Sequence, residues 1–417
     1  MHSMESYNSS DRAPLDTTNP EHQDQLHMLA DELLSAPDFS INKMQEAARR
    51  IAMPLHYRVA AKLAISRHLL LKNDRPGKIG VVFAMWGEQN RLRPKTGDNP
   101  HGEDSLRTKV RQLQWIFRDT GIDWTLYPVD DGCPYGSGKL AAEIAAEFEG
   151  YHDIRVLFLA DHLPAEKGPL RRLLSVDDSR KAGAIILGCS QAIEDGAEAV
   201  MYTDADNSVH LGQIGSLLDP YLQGGFRVVL GNRKHPDSIL VKDGARWGIG
   251  IKNLRHMQRM IGEAIFSRGI LDTQAAFKLY ESQLLREIIA NPTVFDFSFD
   301  TDWIAAFISR DEPFAQVPFV FIDSAAESAT AKQQPMTTWE TLLLGLLKSV
   351  RRYDLLKTPA SREMARVIED EISDYRDLER IINHLPPGLD TAGEADFGDP
   401  SIMSPGAMQA WIRSRKE

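Results

Sequence analysis

From Lys78 onward, short β-branched runs alternate with amphipathic stretches, and this alternation constrains the fold more than any other feature of the chain. Ile79–Met85 is predicted as a strand, Ser105–Thr120 as a helix, Trp124–Val129 as a strand and Lys139–Phe148 as a helix. Arg155–Leu159 follows as a strand, Ser179–Glu194 as a long helix and Ala199–Thr203 as a strand. Leu211–Leu222 and Arg227–Leu230 add a further helix and strand. Strand–helix alternation at these lengths implies an α/β fold, with a mostly parallel sheet flanked by helices on both faces.

Helical extensions are expected on either side. Residues 1–24, rich in Ser, Asn, Asp and Pro, are expected to be disordered. Residues 25–77 carry helical apolar spacing (Leu26, Leu29, Leu33, then Ile51, Leu55, Val59, Leu63), with a break around Ser35–Ser40 and a turn-rich linker at Asn73–Gly77. The α/β unit is expected over 78–330. Helices Thr338–Tyr353 and Ser361–Asn383 fall within 331–385, and a Pro/Gly/Asp-rich tail fills 386–417. The formal charge of -11 and the absence of a basic stripe argue against a nucleic-acid surface. Cys133 and Cys189 cannot build a disulfide framework or a zinc site alone, which fits a reducing cytosol. The polar start lacks the apolar core of a secretion signal, and no apolar run reaches the roughly 20 residues of a membrane helix. A cytoplasmic protein is expected.

The chemistry begins at Val200-Met-Tyr-Thr-Asp-Ala-Asp-Asn-Ser208, where a strand-forming run ends in two aspartates one residue apart. If the strand character persists, Asp204 and Asp206 share one face at a carboxyl end, where open α/β sheets place ligands. Two carboxylates so placed repel unless a cation sits between them, and oxygen-only ligands suit Mg2+ or Mn2+. A metal–diphosphate site is one reading of the pair; a solvated turn is the other.

Other signals fall at strand ends. Asp130-Asp131-Gly132 could offer a carboxylate to a nucleobase or ribose, or could form a β-turn. Gly132–Lys139 fails as a P-loop, with Cys133 in the first glycine position and Leu140 where Ser or Thr is required. Arg91-Leu-Arg-Pro-Lys-Thr96 lacks the Gly-rich loop that nucleotidyl transfer needs. Leu230-Gly-Asn-Arg-Lys-His235, with Arg246 beyond it, could offset charge on a leaving group. Asp272 and Gln274 precede an apolar run. Asp300 and Asp302 lie among aromatics, where burial would raise a carboxyl towards general-base range, and Asp302 could instead cap a helix. His210 is expected to start a helix, His256 to lie on a helix surface, and Leu342–Leu347 to be a packing face.

In this order the motifs resemble those of the GT-A glycosyltransferases of family 2, particularly the dolichyl- and polyprenyl-phosphate hexosyltransferases. The resemblance spans roughly Lys78 to Thr330. Val129-Asp-Asp-Gly-Cys133 is similar to the V-D-D-G-S donor motif, and Lys181-Ala-Gly-Ala-Ile185 to a shifted G-K-G-x-A segment. Asp204-Ala-Asp206 matches D-x-D, Gly231-Asn-Arg233 matches G-x-R, and Asp272-Thr-Gln274 with Phe277-Lys-Leu279 matches D-T-Q-x-G-F-K-L. Phe299-Asp-Thr-Asp302 aligns with the segment that carries the general base. Ser208 and Ala276 depart from the pattern, replacing a glutamine and a glycine.

The resemblance implies a GT-A, Rossmann-like core and metal-dependent transfer of a hexose from a GDP- or UDP-linked sugar, with inversion. Mg2+ or Mn2+ would sit on Asp204 and Asp206. Asp130, Asp131, Lys181, Asp272 and Gln274 would hold the donor, Arg233 would steady the leaving group, and Asp300 or Asp302 would serve as base. A small molecule or a polyprenyl phosphate is the expected acceptor; a phosphate acceptor would need no base. Retaining transfer, nucleotidyl transfer and a non-catalytic nucleotide-sugar-binding scaffold are the other readings. The terminal helices are candidates for covering the acceptor side or for a homodimer contact.

Overall fold

The computed structural model describes residues 15–148, 153–242, 251–323 and 335–415. Three helices come first: α1 (Pro20–Ser35), α2 (Ile41–Arg49) and α3 (Leu55–Leu71). Asn19 caps α1 by accepting the Glu21 amide at 2.9 Å, and Pro20 takes the first turn, where no amide is needed. Helix formation therefore starts inside the stretch expected to be disordered, and Thr17 there is already buried. The expected break is present, with Ala36 extended and Ser40 capping α2.

The α/β unit runs β1 (Gly77–Met85), α4 (Ser105–Phe117), β2 (Ile122–Asp130), α5 (Ser137–Ala146), β3 (Asp153–Ile154), β4 (Leu157–Phe158), α6 (Ala182–Glu194), β5 (Ala199–Thr203), α7 (Ile214–Leu222), β6 (Val228–Gly231) and β7 (Ile239–Val241). It continues through α8 (Ile251–Ile261), α9 (Glu263–Phe266), β8 (Phe277–Glu281), α10 (Ser282–Ile289), α11 (Phe299–Ile308), β9 (Phe314–Val317) and β10 (Val320–Ile322). The chain closes with α12 (Pro335–Arg352), α13 (Pro359–Glu371), α14 (Tyr375–Ile382) and α15 (Pro405–Arg413).

The main sheet has the order β3-β2-β1-β5-β8-β6-β9, with β4 also on β2, and β7 and β10 form a separate parallel pair. Every pairing in the main sheet is parallel except those of β8, which runs antiparallel between β5 and β6. This is the expected fold class: a mostly parallel sheet flanked by helices, with helical extensions at both ends. Strand alternation divides the core. Val82, Val200 and Tyr202 face α6 and the C-terminal helices, whereas Val81, Phe83 and Met201 face α4, α7 and the N-terminal helices. A Cβ at Gly215 would collide with the Ser66 carbonyl, so glycine there lets α7 approach α3 closely.

Several local expectations change. In place of one strand over Arg155–Leu159 there are two short ones, Asp153–Ile154 and Leu157–Phe158, each pairing with β2, and Leu159 opens a 3-10 turn. Ser361–Asn383 is two helices, because Asp374 caps α14 through the Arg376 amide and Asp377 accepts the Ser373 amide, each at 2.8 Å. Those side chains offer the backbone an alternative to a continuing helix. His256 is fully buried, not on the surface; Nε2 meets the Met403 carbonyl at 2.9 Å and Nδ1 accepts the Gly398 amide at 3.1 Å. The tail seats Leu389, Phe397 and Met403 in the core. Leu343, Leu346 and Leu347 are buried, as the packing-face expectation required. No helix among the described residues is long and apolar enough to cross a membrane.

Candidate active site

The antiparallel β8 creates the site. Parallel strands β1, β2, β5 and β6 end at one edge of the sheet, and a strand running the other way begins there. The pairings Met85–Asp130, Thr203–Phe277 and Leu230–Lys278 therefore bring residues 130–131, 204–206, 232–233 and 271–276 to one edge. The first turn of α11 joins them through Asp300, whose Oδ1 accepts from Lys278 Nζ at 2.6 Å.

Two of the expected donor ligands are engaged by the protein itself. Asp130 accepts the Cys133 amide at 2.9 Å and the Gly138 amide at 2.7 Å, so a carboxylate already fills the N-terminus of α5. The P-loop reading fails on structure as well as on spacing. Gly132, at φ +73° with Val176 against its α-carbon, makes the turn that a side chain would obstruct. Asp131 accepts from Ser179 Oγ at 2.5 Å and from the Lys181 amide at 2.7 Å. Burial raises its carboxyl to about 6 against the pull of these two donors.

Lys181, which Asp131 holds, sits at φ +82° and ψ -45°, a strained conformation for a residue with a side chain. Its ammonium pairs with Asp204 Oδ1. Strand character does not persist beyond Thr203, and the two aspartates take different partners within the protein. Asp204 turns to Lys181 at the start of α6. The Asp206 carbonyl accepts from Lys109 of α4, and its Oδ1 accepts the Ser208 amide at 3.0 Å. Burial pushes the Asp204 carboxyl up, but the Lys181 ammonium outweighs it and holds the group below its ordinary value. Burial, with the charges of Asp204 and Glu103, pushes Asp206 above its own.

The remaining expected residues fall on both sides of a line. Arg233 clasps Asp272 with Nε at 2.8 Å and Nη2 at 2.7 Å, its amide adds a third bond at 2.9 Å, and its guanidinium lies 5.1 Å from the Phe321 ring centre. Burial opposes the Asp272 carboxylate, but the Arg233 pair prevails and holds it below the usual range. Gln274 donates to Thr301 Oγ1 at 3.0 Å, closing the loop onto α11. Asp302 leaves the group: two positions after Asp300 on a helix, it faces α12 and pairs with Arg352 at 3.2 Å. It neither caps α11, whose N-cap is Ser298, nor joins the site. Arg246 lies outside the described residues. His210 accepts the Gly212 amide at 2.9 Å and starts a 3-10 turn.

No protein-family model matches the chain. Among solved structures, it is similar to glucosyl-3-phosphoglycerate synthase from Mycobacterium tuberculosis. The structure with Mn2+, uridine diphosphate and glucosyl-3-phosphoglycerate is 13% identical with a TM-score of 0.44, over 78% of this chain and 88% of that one. The structure with Mn2+, uridine-diphosphate-glucose and phosphoglyceric acid is 14% identical with a TM-score of 0.44, over 78% and 87%. The structure with Mg2+ and uridine diphosphate is 13% identical with a TM-score of 0.43, over the same shares. These likenesses are loose.

Sequence reasoning missed a supporting layer. Arg91 is buried and bridges Glu88 and Glu103, and Glu103 accepts the Asn207 amide at 2.7 Å, tying the loop after β1 to the loop after β5. Tyr202 and Lys278, both fully buried, converge on Asp300. The one signal available was a lysine inside the apolar run Phe277–Tyr280, since a charge there must find a partner. Trp86 and Tyr135, 43% and 59% exposed, stand edge to face at the ends of β1 and β2 with ring centres 5.7 Å apart.

The acidic pair meets the donor requirement of a hard cation. Among the described residues, Asp204 Oδ2 and Asp206 Oδ2 make no hydrogen bond, and both groups supply oxygen alone. No group of three or more His, Cys, Asp or Glu able to hold a metal occurs among the described residues. The pair therefore fits an ion that draws most of its ligands from phosphate and water.

Proposed function

We propose that this chain is a metal-dependent glycosyltransferase, moving a hexose-type sugar from a GDP- or UDP-linked donor to an acceptor with inversion. One observation carries the reading: open carboxylate oxygens on Asp204 and Asp206 stand at the same sheet edge as the ammonium of Lys181 and the guanidinium of Arg233. Such a site can hold a divalent cation and a diphosphate together.

Asp204 and Asp206 would hold Mg2+ or Mn2+, which as a Lewis acid would draw off charge as the anomeric bond breaks. Lys181 and Arg233 would face the diphosphate and offset the rest. Asp131 acts on the donor through Lys181, whose strained backbone it fixes, and Asp130 by shaping the turn before α5. Asp272 and Gln274 orient Arg233 and the loop ahead of β8. The exposed rings of Trp86 and Tyr135 offer an aromatic face on which the nucleobase could stack. Asp300 is the proposed base, acting through Oδ2, since Oδ1 serves Lys278 and Tyr202.

The test is a thermal-shift panel of UDP, GDP, ADP and CDP, with and without Mn2+. Binding to the native state raises the melting temperature by mass action. We expect a metal-dependent rise with UDP or GDP, lost in Asp206→Ala; no rise with any nucleotide would favour a non-catalytic scaffold. Asp300→Asn should then lower turnover by about 10²-fold or more. Unchanged turnover would remove Asp300 as base and leave an acceptor whose oxygen is already anionic.

A further inference from the structure

Beside the Arg233 loop, three cations converge on one carboxylate from the C-terminal segment. Glu394 Oε1 accepts from Arg259 Nη2 at 2.6 Å and from Lys234 Nζ at 3.3 Å, and Oε2 accepts from Arg255 Nη1 at 2.9 Å. The side chains of Glu394, Lys234 and Arg255 are 44%, 38% and 36% exposed, whereas that of Arg259 is 8% exposed. Ion pairs as wet as those to Lys234 and Arg255 contribute little to stability, so clamping the tail accounts for the Arg259 pair and not for gathering the other two cations. Tail packing is supplied elsewhere, by Leu389 and Phe397 in the core and by Lys252 on the Asp390 and Ala392 carbonyls.

Among the described residues the charges do not balance: three cations meet a single carboxylate, a surplus of two. Partial burial, opposed by Glu394, holds the Lys234 ammonium below its ordinary value. Arg259 is fixed in place, its guanidinium 5.9 Å from the Phe266 ring centre and 5.8 Å from that of Phe397. A phosphate monoester, with close to two charges and three acceptor oxygens, answers this arrangement better than a carboxylate does.

We propose that Lys234, Arg255 and Arg259 bind the phosphate monoester of the acceptor, and that Glu394 fills this site as an internal stand-in which the ligand displaces. Lys234 directly follows Arg233, so an acceptor anchored there by its phosphate reaches towards the donor's diphosphate from the next residue of the same loop. The word acceptor rests on the glycosyltransferase reading. Binding itself does not, and the test uses neither donor nor metal, so the two can fail separately.

Inorganic phosphate is titrated calorimetrically into the full chain and into Glu394→Gln. Glutamine keeps the backbone carbonyl that Arg259 also holds, so the tail stays seated, which an unchanged melting temperature would verify. If Glu394 occupies the site about nine-tenths of the time, its removal should tighten phosphate binding about tenfold. Adding Arg255→Gln or Lys234→Gln should abolish that gain. Equal affinity in wild type and Glu394→Gln, or a gain that survives both second substitutions, overturns the proposal. Phosphatidylcholine vesicles with and without phosphatidic acid then distinguish the source of the phosphate. Capture of Glu394→Gln only by phosphatidic acid supports a lipid headgroup, and a phosphate gain without capture supports a soluble monoester.

Discussion

Asp131 shows how a single residue can be legible in type and misread in role. Its place after β2 was plain in the sequence, but the groups it holds, Ser179 and Lys181, lie about fifty positions away and meet it only through the fold. Burial raises its carboxyl from 3.8 to about 6. The stability this group contributes is therefore fully present below pH 3.8 and is lost as the pH rises through about 6. The difference amounts to about 3 kcal/mol at most. We expect urea unfolding of wild type and Asp131→Asn to show the wild type losing ground to the variant between about pH 3.8 and about pH 6. A pH-independent difference would mean that the carboxyl is not shifted. Asp300 repeats the lesson. Its burial was foreseen, but not the ammonium of Lys278, twenty-two positions earlier, that shares the same oxygen.

At the scale of elements, α1 is joined to the loop that carries the acidic pair. Gln23 accepts from Gln112 of α4 at 3.0 Å, and Gln112 accepts the Leu211 amide at 2.8 Å. Beside this relay, the ring of His27 stacks on Trp115 at 4.7 Å and meets His210 edge-on at 5.1 Å. Burial lowers His27 to about 4 despite the nearby Asp31 carboxylate, and lowers His210 well below its ordinary value. Both are held neutral, and the contribution of His27, about 3 kcal/mol, is present above pH 6.5 and is lost as the pH falls through about 4. Acidification should release α1 first, seen as faster proteolysis between α1 and α2 as the pH falls from about 6.5 to about 4.5. His27→Gln should flatten that dependence, and unchanged cleavage across the range would show that the stack does not couple to α1. Apolar spacing identified α1 in the sequence. Nothing in that spacing said which loop it would meet, because a helix encodes its buried face and not its partner.

Across the whole molecule, the helical extensions complete the core. Tyr57, Val59, Leu63 and Leu70 are each 4% exposed or less and share one cluster with β1, α4 and α7. Deleting residues 1–71 would uncover that face at about 2 kcal/mol for each large apolar side chain left without cover, more than most domains can lose. We expect the deletion variant to lose its cooperative thermal transition; a sharp calorimetric melt would show that the α/β unit stands alone. The sequence by itself determined the strand–helix alternation, the apolar faces and the acidic pair at the end of β5. Those depend on local periodicity and on side-chain type, which short-range sterics and hydrophobic burial read directly. The fold alone decided that β8 runs against its neighbours. That reversal brings Asp272, Gln274 and Lys278 to the edge where Asp131, Asp204 and Arg233 arrive from parallel strands. The pairs Arg233–Asp272, Lys181–Asp204 and Lys278–Asp300 join residues 39, 23 and 22 positions apart. Coulomb attraction acts through space, so such pairs carry no signature along the chain, and only the tertiary structure could choose them.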